Sequence, residues 1–305
     1  MIRHHRASAA LALVCAVAGA GLVGCEEAPT ADSKPSASAT AAGGADGAAE
    51  NASFTGTKKI EVEGRSVNVS CSGDPVESQP VIVLLHGGGD GLDTMADLQE
   101  TLGAQHRTCS YDRLGAGASD QPDGPQTLED GGKVLTEVLD QVAGDAPVVL
   151  AGHSLGGLIA ARYAPDHQDK VKGLVLMDAT SPTQSADLQE EIPESATGTA
   201  VDLREQTLAV LRGESPEKLV VPDGEVRSAG NIPVEVIQHG KQYLAAVPEY
   251  GQNLELAWSE GQRKWLAISS DSELSTAENS GHYIHVDEPD VAVAAIQRVV
   301  SKAAG

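Results

Sequence analysis

Strand-length apolar runs alternate with longer amphipathic segments along the chain from residue 56 onward. The stretches KKIEVEG and RSVNVSCSG alternate apolar and polar residues, which predicts a β-hairpin. The run PVIVLLHGG is continuously apolar before its final glycines, which is typical of a strand buried on both faces of a sheet. Further strands are predicted at RTCSYD, APVVLAG, VKGLVLMD, IPVEVIQHG and within ELSTAENSGH.

Segments with helical spacing of their apolar residues lie between and after these strands. They are residues 93–103, TLEDGGKVLTEVLDQVAG with Thr127 as its N-cap, the segment after Ser154, residues 253–268 and PDVAVAAIQRVVSKA. Strands separated by helices favour a mostly parallel sheet in a three-layer α/β fold. The opening hairpin makes one edge of that sheet antiparallel.

One segment interrupts this alternation. Residues 181–231 are polar, acidic and irregular in pattern, and they are too long for a simple connection. We expect them to form a small lid inserted after the sixth strand.

The N-terminal residues predict export. Arg3 and Arg6 give residues 1–24 a positive start, and an apolar run follows them. The end of that run, Leu-Val-Gly before Cys25, resembles the lipobox of bacterial lipoproteins, in which the cysteine becomes the lipidated N-terminus. The resemblance implies a signal peptide over 1–24 and an outward-facing protein that contacts the membrane only through lipid on Cys25. A plain secretory signal is the alternative and also implies export.

A low-complexity segment follows the signal. From Glu26 to about Ser53 the chain is dominated by Ala, Ser, Gly, Pro and Thr and lacks large apolar residues, so it cannot bury enough surface to fold. We therefore expect a disordered tether over residues 25–55 and one folded domain over residues 56–305.

The composition of the chain limits the classes of molecule that we expect it to bind. The formal net charge is −23, and such an acidic chain repels the phosphates of nucleic acids. The aromatic fraction of 3% predicts a substrate pocket lined by aliphatic side chains. The sequence gives no indication of oligomeric state.

The clearest chemical motif is Gly-His-Ser-Leu-Gly around Ser154, which fits G-x-S-x-G. The motif alone is a weak signal in a chain with 33 glycines. Here a predicted strand precedes it and a helix follows it, which is the context in which a sharp turn exposes the serine hydroxyl. The helix N-terminus also places a positive dipole where negative charge would develop.

With these motifs the chain resembles the α/β-hydrolase family over about residues 56–303. The resemblance rests on four segments in order: LLHGGG, YDRLGAGASD, GHSLGG and SGHYIHVDEP. It implies an eight-stranded, mostly parallel sheet in a three-layer domain, and acyl-transfer chemistry that is usually hydrolysis.

The resemblance assigns the nucleophile to Ser154 and the general base to His282, which follows Ser-Gly after the last strand. His285 is the competing base, three residues further on. The family commonly has the acid after the seventh strand, but in this chain no aspartate lies from residue 232 through residue 254. A family variation puts the acid after the sixth strand, so we predict Asp178 as the acid, with Asp271 as the less favoured candidate. The alternative for Asp178 is that it only caps a turn before Pro182.

Glu235 should not reach the site, because it lies within the seventh strand. By resemblance, the oxyanion hole is formed by the backbone N–H groups of Gly88 and Leu155. The second glycine-rich turn, Asp112 to Gly117, lacks a lysine and a phosphate-loop pattern, so we expect it to brace the structure.

Four cysteines are divided between the signal and the domain. Cys15 leaves with the signal and Cys25 would carry lipid, which leaves Cys71 and Cys109 in an exported domain. A disulfide between them is expected in an oxidising compartment, with two separate buried thiols as the alternative. In the resembled fold their two strands are neighbours.

The function expected from these features is that of a serine hydrolase. Carboxylic esters or related small acyl substrates would react through a Ser-His-Asp triad and an acyl-enzyme, with no metal or organic cofactor. Peptidase, thioesterase and perhydrolase activities stay open. A non-catalytic binding module at the cell surface is the alternative from another class.

Overall fold

The computed structural model describes residues 54–305. The expected signal peptide, the lipidation site Cys25 and nearly all of the expected tether lie outside the described residues. Within the described part, no helix is both long and apolar enough to cross a membrane.

The domain is built on an eight-stranded sheet with the spatial order β1-β2-β4-β3-β5-β6-β7-β8. The first two strands form the expected hairpin, and β2 also pairs antiparallel with β4, whereas all neighbours from β4 to β8 are parallel. The predicted fold class is confirmed. The strands are β1 (Gly56–Val62), β2 (Arg65–Ser72), β3 (Val81–Leu85), β4 (Thr108–Tyr111), β5 (Val148–His153), β6 (Val171–Met177), β7 (Pro233–His239) and β8 (Asp271–Ala277).

Helices cover both faces of this sheet. Alternate residues of β3 enter different cores: Ile82 and Leu84 pack with α1 and α8, whereas Val83 packs with α2 and α3. The continuous apolar run of β3 therefore has the physical cause expected from the sequence, since both of its faces are buried. The helices are α1 (Ala96–Gly103), α2 (Leu128–Ala143), α3 (Leu155–Tyr163), α4 (Gln184–Glu191), α5 (Thr199–Leu211), α6 (Gly251–Lys264), α7 (Ile284–Asp287) and α8 (Pro289–Ala303).

The segment between β6 and β7 is more regular than its sequence pattern indicated. It contains α4 and α5, and their few apolar residues, such as Leu188 and Leu208, form a third small core with Leu254 of α6. These helices gain their stability from packing against α6 rather than from a strong apolar stripe of their own. Whether the segment moves as a lid stays a prediction.

Cys71 on β2 lies directly opposite Cys109 on β4, and the two form a disulfide with a Cα–Cα distance of 4.1 Å. The bond links the antiparallel edge of the sheet to its parallel part. It lies among buried apolar side chains, since both cysteines are about 1% exposed.

Candidate active site

Ser154 lies on a strained turn between β5 and α3. Its φ of 51° is in the region that L residues rarely adopt. The turn also depends on close packing of glycines: a Cβ on Gly152 would be 2.4 Å from the carbonyl carbon of Gly156, and one on Gly156 would be 2.3 Å from the carbonyl oxygen of Leu85. Only glycine fits at these two positions, and the serine side chain is left partly exposed.

The turn is bonded to the end of the neighbouring strand β6. The N–H of Ser154 donates to the carbonyl of Met177 at 3.1 Å, and the N–H of Thr180 donates to the carbonyl of Ser154 at 3.1 Å. Asp178 lies between Met177 and Thr180 in the chain and, like Ser154, has a positive φ, of 46°. The sheet therefore brings Ser154 and Asp178 to the same edge, at the carboxyl ends of parallel strands.

Asp178 binds His282, which follows β8. Nδ1 of His282 lies 2.7 Å from Oδ2 of the fully buried Asp178. A carboxylate only accepts hydrogen bonds, so Nδ1 of His282 carries the proton and Nε2 is free to act as a base. Burial on its own raises the pKa of Asp178, but the hydrogen bonds from His239 and His282 outweigh burial and hold that pKa well below its usual value.

The competing acid Asp271, the excluded Glu235 and the competing base His285 lie in different surroundings. Asp271, at the start of β8, binds Lys302 at 3.1 Å on the exposed surface. Glu235 binds Arg298 at 2.7 Å within β7, as expected of a residue that does not reach the site. The structure thus brings Asp178, and not Asp271, to His282. His285 is buried, and desolvation followed by the charge of His282 lowers its pKa to about 4.

A second histidine also binds the Asp178 carboxylate. Nδ1 of His239, at the end of β7, lies 2.9 Å from each Asp178 oxygen, and its Nε2 lies 2.8 Å from Oε2 of Glu255 on α6. Trp258 donates its indole N–H to Oδ1 of Asp178 at 2.8 Å. Burial opposes charge on the ring of His239, but the hydrogen bonds to Asp178 and Glu255 raise its pKa to about 9.

The loop after β3, residues 86–89, approaches the turn at Ser154. A Cβ on Gly88 would lie 3.3 Å from Cδ2 of Leu155, so the two residues proposed for the oxyanion hole are neighbours. The guanidinium of Arg113 donates to the carbonyls of His86 and Gly87, at 2.7 Å each. Because a trans peptide points its C=O and N–H in opposite directions, the bond to Gly87 directs the Gly88 N–H away from Arg113.

Glu217 completes the support of this loop from the segment between β6 and β7. Its carboxylate binds Arg113 at 2.7 Å and accepts the N–H of Gly89 at 3.3 Å. Both side chains of the ion pair are less than 10% exposed. Asp112 meanwhile accepts hydrogen bonds from Leu92 and Ala118, so the second glycine-rich turn braces the structure, as expected from the sequence.

Aromatic and imidazole rings surround His282. Its ring centroid lies 5.5 Å from those of Trp258 and Tyr283 and 6.0 Å from that of Tyr243. The low aromatic content of the chain predicts aliphatic surroundings, but several of its few aromatic residues are concentrated here. His153 donates from Nε2 to the backbone carbonyl of His282 at 3.0 Å, which holds the backbone of His282 in place.

Sequence reasoning missed His239, Glu255, Trp258 and Glu217. Only His239 had an available signal, because it ends a predicted strand at the edge of the sheet where the site forms. The others come from helices or loops whose pattern carries no motif.

Among residues 54–305, no group of His, Cys, Asp or Glu side chains is arranged to hold a metal ion.

The chain matches the alpha/beta hydrolase fold family over residues 80–284, and it belongs to that family. It is 30% identical to a human (Lyso)-N-acylphosphatidylethanolamine lipase over 142 residues, which are 44% of this chain and 42% of the lipase. It is 39% identical to a pimeloyl-[acyl-carrier protein] methyl ester esterase of Photorhabdus laumondii over 108 residues, 35% of this chain and 38% of the esterase. The matched stretches thus span less than half the length of either relative.

A solved serine hydrolase involved in carbazole degradation superposes with a TM-score of 0.58 over 80% of this chain and 98% of its own. The two sequences are 18% identical, so the likeness supports the fold alone.

Proposed function

We propose that the protein is a serine hydrolase of carboxylic esters or closely related acyl substrates, with Ser154, His282 and Asp178 as its triad. The observation that carries the proposal is the 2.7 Å hydrogen bond from His282 to the buried Asp178, made beside a strained serine turn. A serine hydroxyl is a weak nucleophile without such a base and an orienting carboxylate.

In the first half-reaction, Oγ of Ser154 attacks the substrate carbonyl carbon while Nε2 of His282 takes the hydroxyl proton. Asp178 holds the Nδ1 proton and stabilises the imidazolium that forms. The carbonyl electron pair moves to the oxygen, which the N–H groups of Gly88 and Leu155 bind. The intermediate collapses, the C–O bond to the leaving group breaks, and His282 donates its proton to the leaving alcohol.

In the second half-reaction, water replaces the alcohol. His282 removes a proton from water as it attacks the acyl-enzyme, and the same N–H groups bind the oxyanion again. Collapse breaks the bond to Ser154, whose oxygen takes the proton back from His282, and the carboxylic acid is released. Each cycle consumes one ester and one water and leaves the enzyme unchanged.

The proposal is tested with a fluorophosphonate probe, which phosphonylates activated serines. We expect covalent labelling of the purified protein at Ser154, no labelling of Ser154→Ala, and hydrolysis of short-chain nitrophenyl esters by the wild type only. A folded wild-type protein that stays unlabelled would refute the hydrolase mechanism and favour a binding module. A panel of esters, thioesters, peptides and amides of matched acyl groups then ranks the substrate classes.

We further propose that the enzyme is exported and attached to the bacterial membrane through Cys25. The lipobox-like residues support this, and the Cys71–Cys109 disulfide suits an oxidising compartment. Cells expressing the full chain and fed an alkyne-bearing fatty acid should incorporate it into the wild type and not into Cys25→Ala. Label in neither protein would contradict lipidation, and a Cys25→Ala protein released into the medium would indicate export without the anchor.

A further inference from the structure

We propose that His239 is a positioning residue that acts on the reaction through Asp178, as an imidazolium held between two buried carboxylates. The inference rests on the proposed triad. It adds His239 and Glu255 behind the acid, so that the series of hydrogen bonds runs from His282 through Asp178 and His239 to Glu255.

The protonation of His239 follows from its two partners. Nδ1 faces the Asp178 carboxylate and Nε2 faces the Glu255 carboxylate, with distances of 2.8–2.9 Å. Neither carboxylate can donate, so both ring nitrogens must. A ring with two protons is cationic, and the direction of its pKa shift, to about 9, agrees with this geometry.

Both carboxylates are held rigidly. Glu255 uses its other oxygen to accept the backbone N–H groups of Leu244 and Ala245, at 2.6 and 3.1 Å. Asp178 also accepts the backbone N–H of His239, at 3.1 Å, and the indole N–H of Trp258. Since His239 has a fixed partner on either side, loss of one ring proton removes the positive charge behind Asp178 and leaves one carboxylate without its donor.

The charge of His239 matters for the base. Asp178 attracts a proton onto His282, and a cation on the far side of Asp178 weakens that attraction. His239 therefore offsets part of the negative charge that the buried Asp178 carboxylate presents to Nδ1 of His282. A neutral residue at position 239 would leave both Asp178 and Glu255 uncompensated.

The titratable groups that face His239 come from several elements. Besides Asp178, Glu255 and, beyond Asp178, His282, the ring of Tyr243 lies 4.7 Å away. Burial, followed by the charges of Asp178 and Glu255, raises the pKa of Tyr243 well above 10, so it stays neutral in the range of interest. A cavity of about 250 Å³ borders His239 and Glu255, and Glu278 also lines it.

The experiment compares the pH dependence of kcat and KM in wild type, His239→Gln and Glu255→Gln, from about pH 5 to about pH 10.5. His106→Gln is the matched control, because that ring contacts Gln79 far from the site. Fluorophosphonate labelling of every preparation shows whether Ser154 is reactive.

In the wild type we expect kcat to fall above about pH 9, because Nε2 of His239 then loses its proton and faces Glu255 without a donor. The His239→Gln variant should lack this alkaline limb. Its kcat should be about 10- to 100-fold lower, with little change in KM. The acid limb of its kcat profile should move to higher pH by about half a unit or more. Glu255→Gln should move the alkaline limb below that of the wild type. His106→Gln should keep both limbs.

A purely structural role would lower kcat equally at every pH. The inference is overturned if His239→Gln keeps the wild-type limbs, if Glu255→Gln leaves the alkaline limb in place, or if the wild type has no limb near pH 9. The wild-type profile needs no variant, so the absence of a limb near pH 9 overturns the inference even if the variants do not fold. If the wild type is not labelled at Ser154, the proposed function fails as well; if it is labelled and the limbs do not move, only the role of His239 fails.

Discussion

Asp178 and His282 are 104 residues apart in the sequence, yet Oδ2 of Asp178 accepts the Nδ1 proton of His282 at 2.7 Å. Asp178 follows β6 and His282 follows β8, with β7 between the two strands. The contact exists because parallel strands end at the same edge of the sheet. It supports the proposal that the acid of the triad follows the sixth strand.

Asp178→Asn tests this assignment. The amide would favour the wrong tautomer of His282, so we expect kcat to fall by about four orders of magnitude while KM changes little. Asp271→Asn is the matched control, because its carboxylate binds Lys302 on the surface. Ester hydrolysis over a range of substrate concentrations gives kcat and KM for both variants. A large loss in Asp271→Asn with an active Asp178→Asn would reverse the assignment.

The strain at Ser154 predicts a trade between activity and stability. Both Ser154→Ala and Ser154→Gly remove the proposed nucleophile, but only glycine adopts a φ of 51° without steric cost. We expect Ser154→Gly to be more stable than Ser154→Ala by about 1 kcal/mol, after allowance for the greater freedom of glycine in the unfolded chain. Urea unfolding of the two inactive proteins measures the difference. Equal stabilities would show that the turn is unstrained.

The ion pair between Arg113 and Glu217 should be costly to break from one side. Glu217→Gln leaves a buried guanidinium without its counter-charge, so we expect unfolding to become easier by about 3–5 kcal/mol. The exposed pair of Arg227 and Asp166 provides the control, and Asp166→Asn should cost less than about 1 kcal/mol. Urea unfolding measures both variants. A Glu217→Gln protein as stable as Asp166→Asn would contradict the structural role given to this pair.

The disulfide should stabilise the domain without taking part in the chemistry. It links residues 38 positions apart, and the double variant Cys71→Ala/Cys109→Ala should lose about 2–4 kcal/mol of unfolding free energy. Ser154 should still be labelled at a temperature where the variant is folded. Peptide mapping of the unreduced wild type should recover the two cysteines in one linked peptide. Two alkylatable thiols in that protein would disprove the bond.

The sequence predicted the sheet well because its strands are short runs with few alternatives. β3, β5 and β6 are apolar nearly throughout since both of their faces are buried, and Ser154 is marked by glycines that only a tight turn requires. Local pattern and tertiary environment agree at these places.

The sequence could not predict contacts that depend on how distant elements pack. His239 and Glu255 meet because α6 lies against the end of β7, and neither residue belongs to a motif. The helices α4 and α5 were also missed, because polar sequences fold there only when α6 supplies an apolar surface. A lone histidine or glutamate gives no sign of such a partner.

The bond from Glu217 to Gly89 has a consequence for protein engineering. Segments inserted after the sixth strand are attractive units to exchange between related enzymes when a different substrate range is wanted. In this protein such an exchange would also remove the carboxylate that neutralises Arg113 and secures the loop after β3. A graft would have to carry a glutamate at the position of Glu217. Without it, the recipient would gain a new binding surface but lose the shape of the loop after β3.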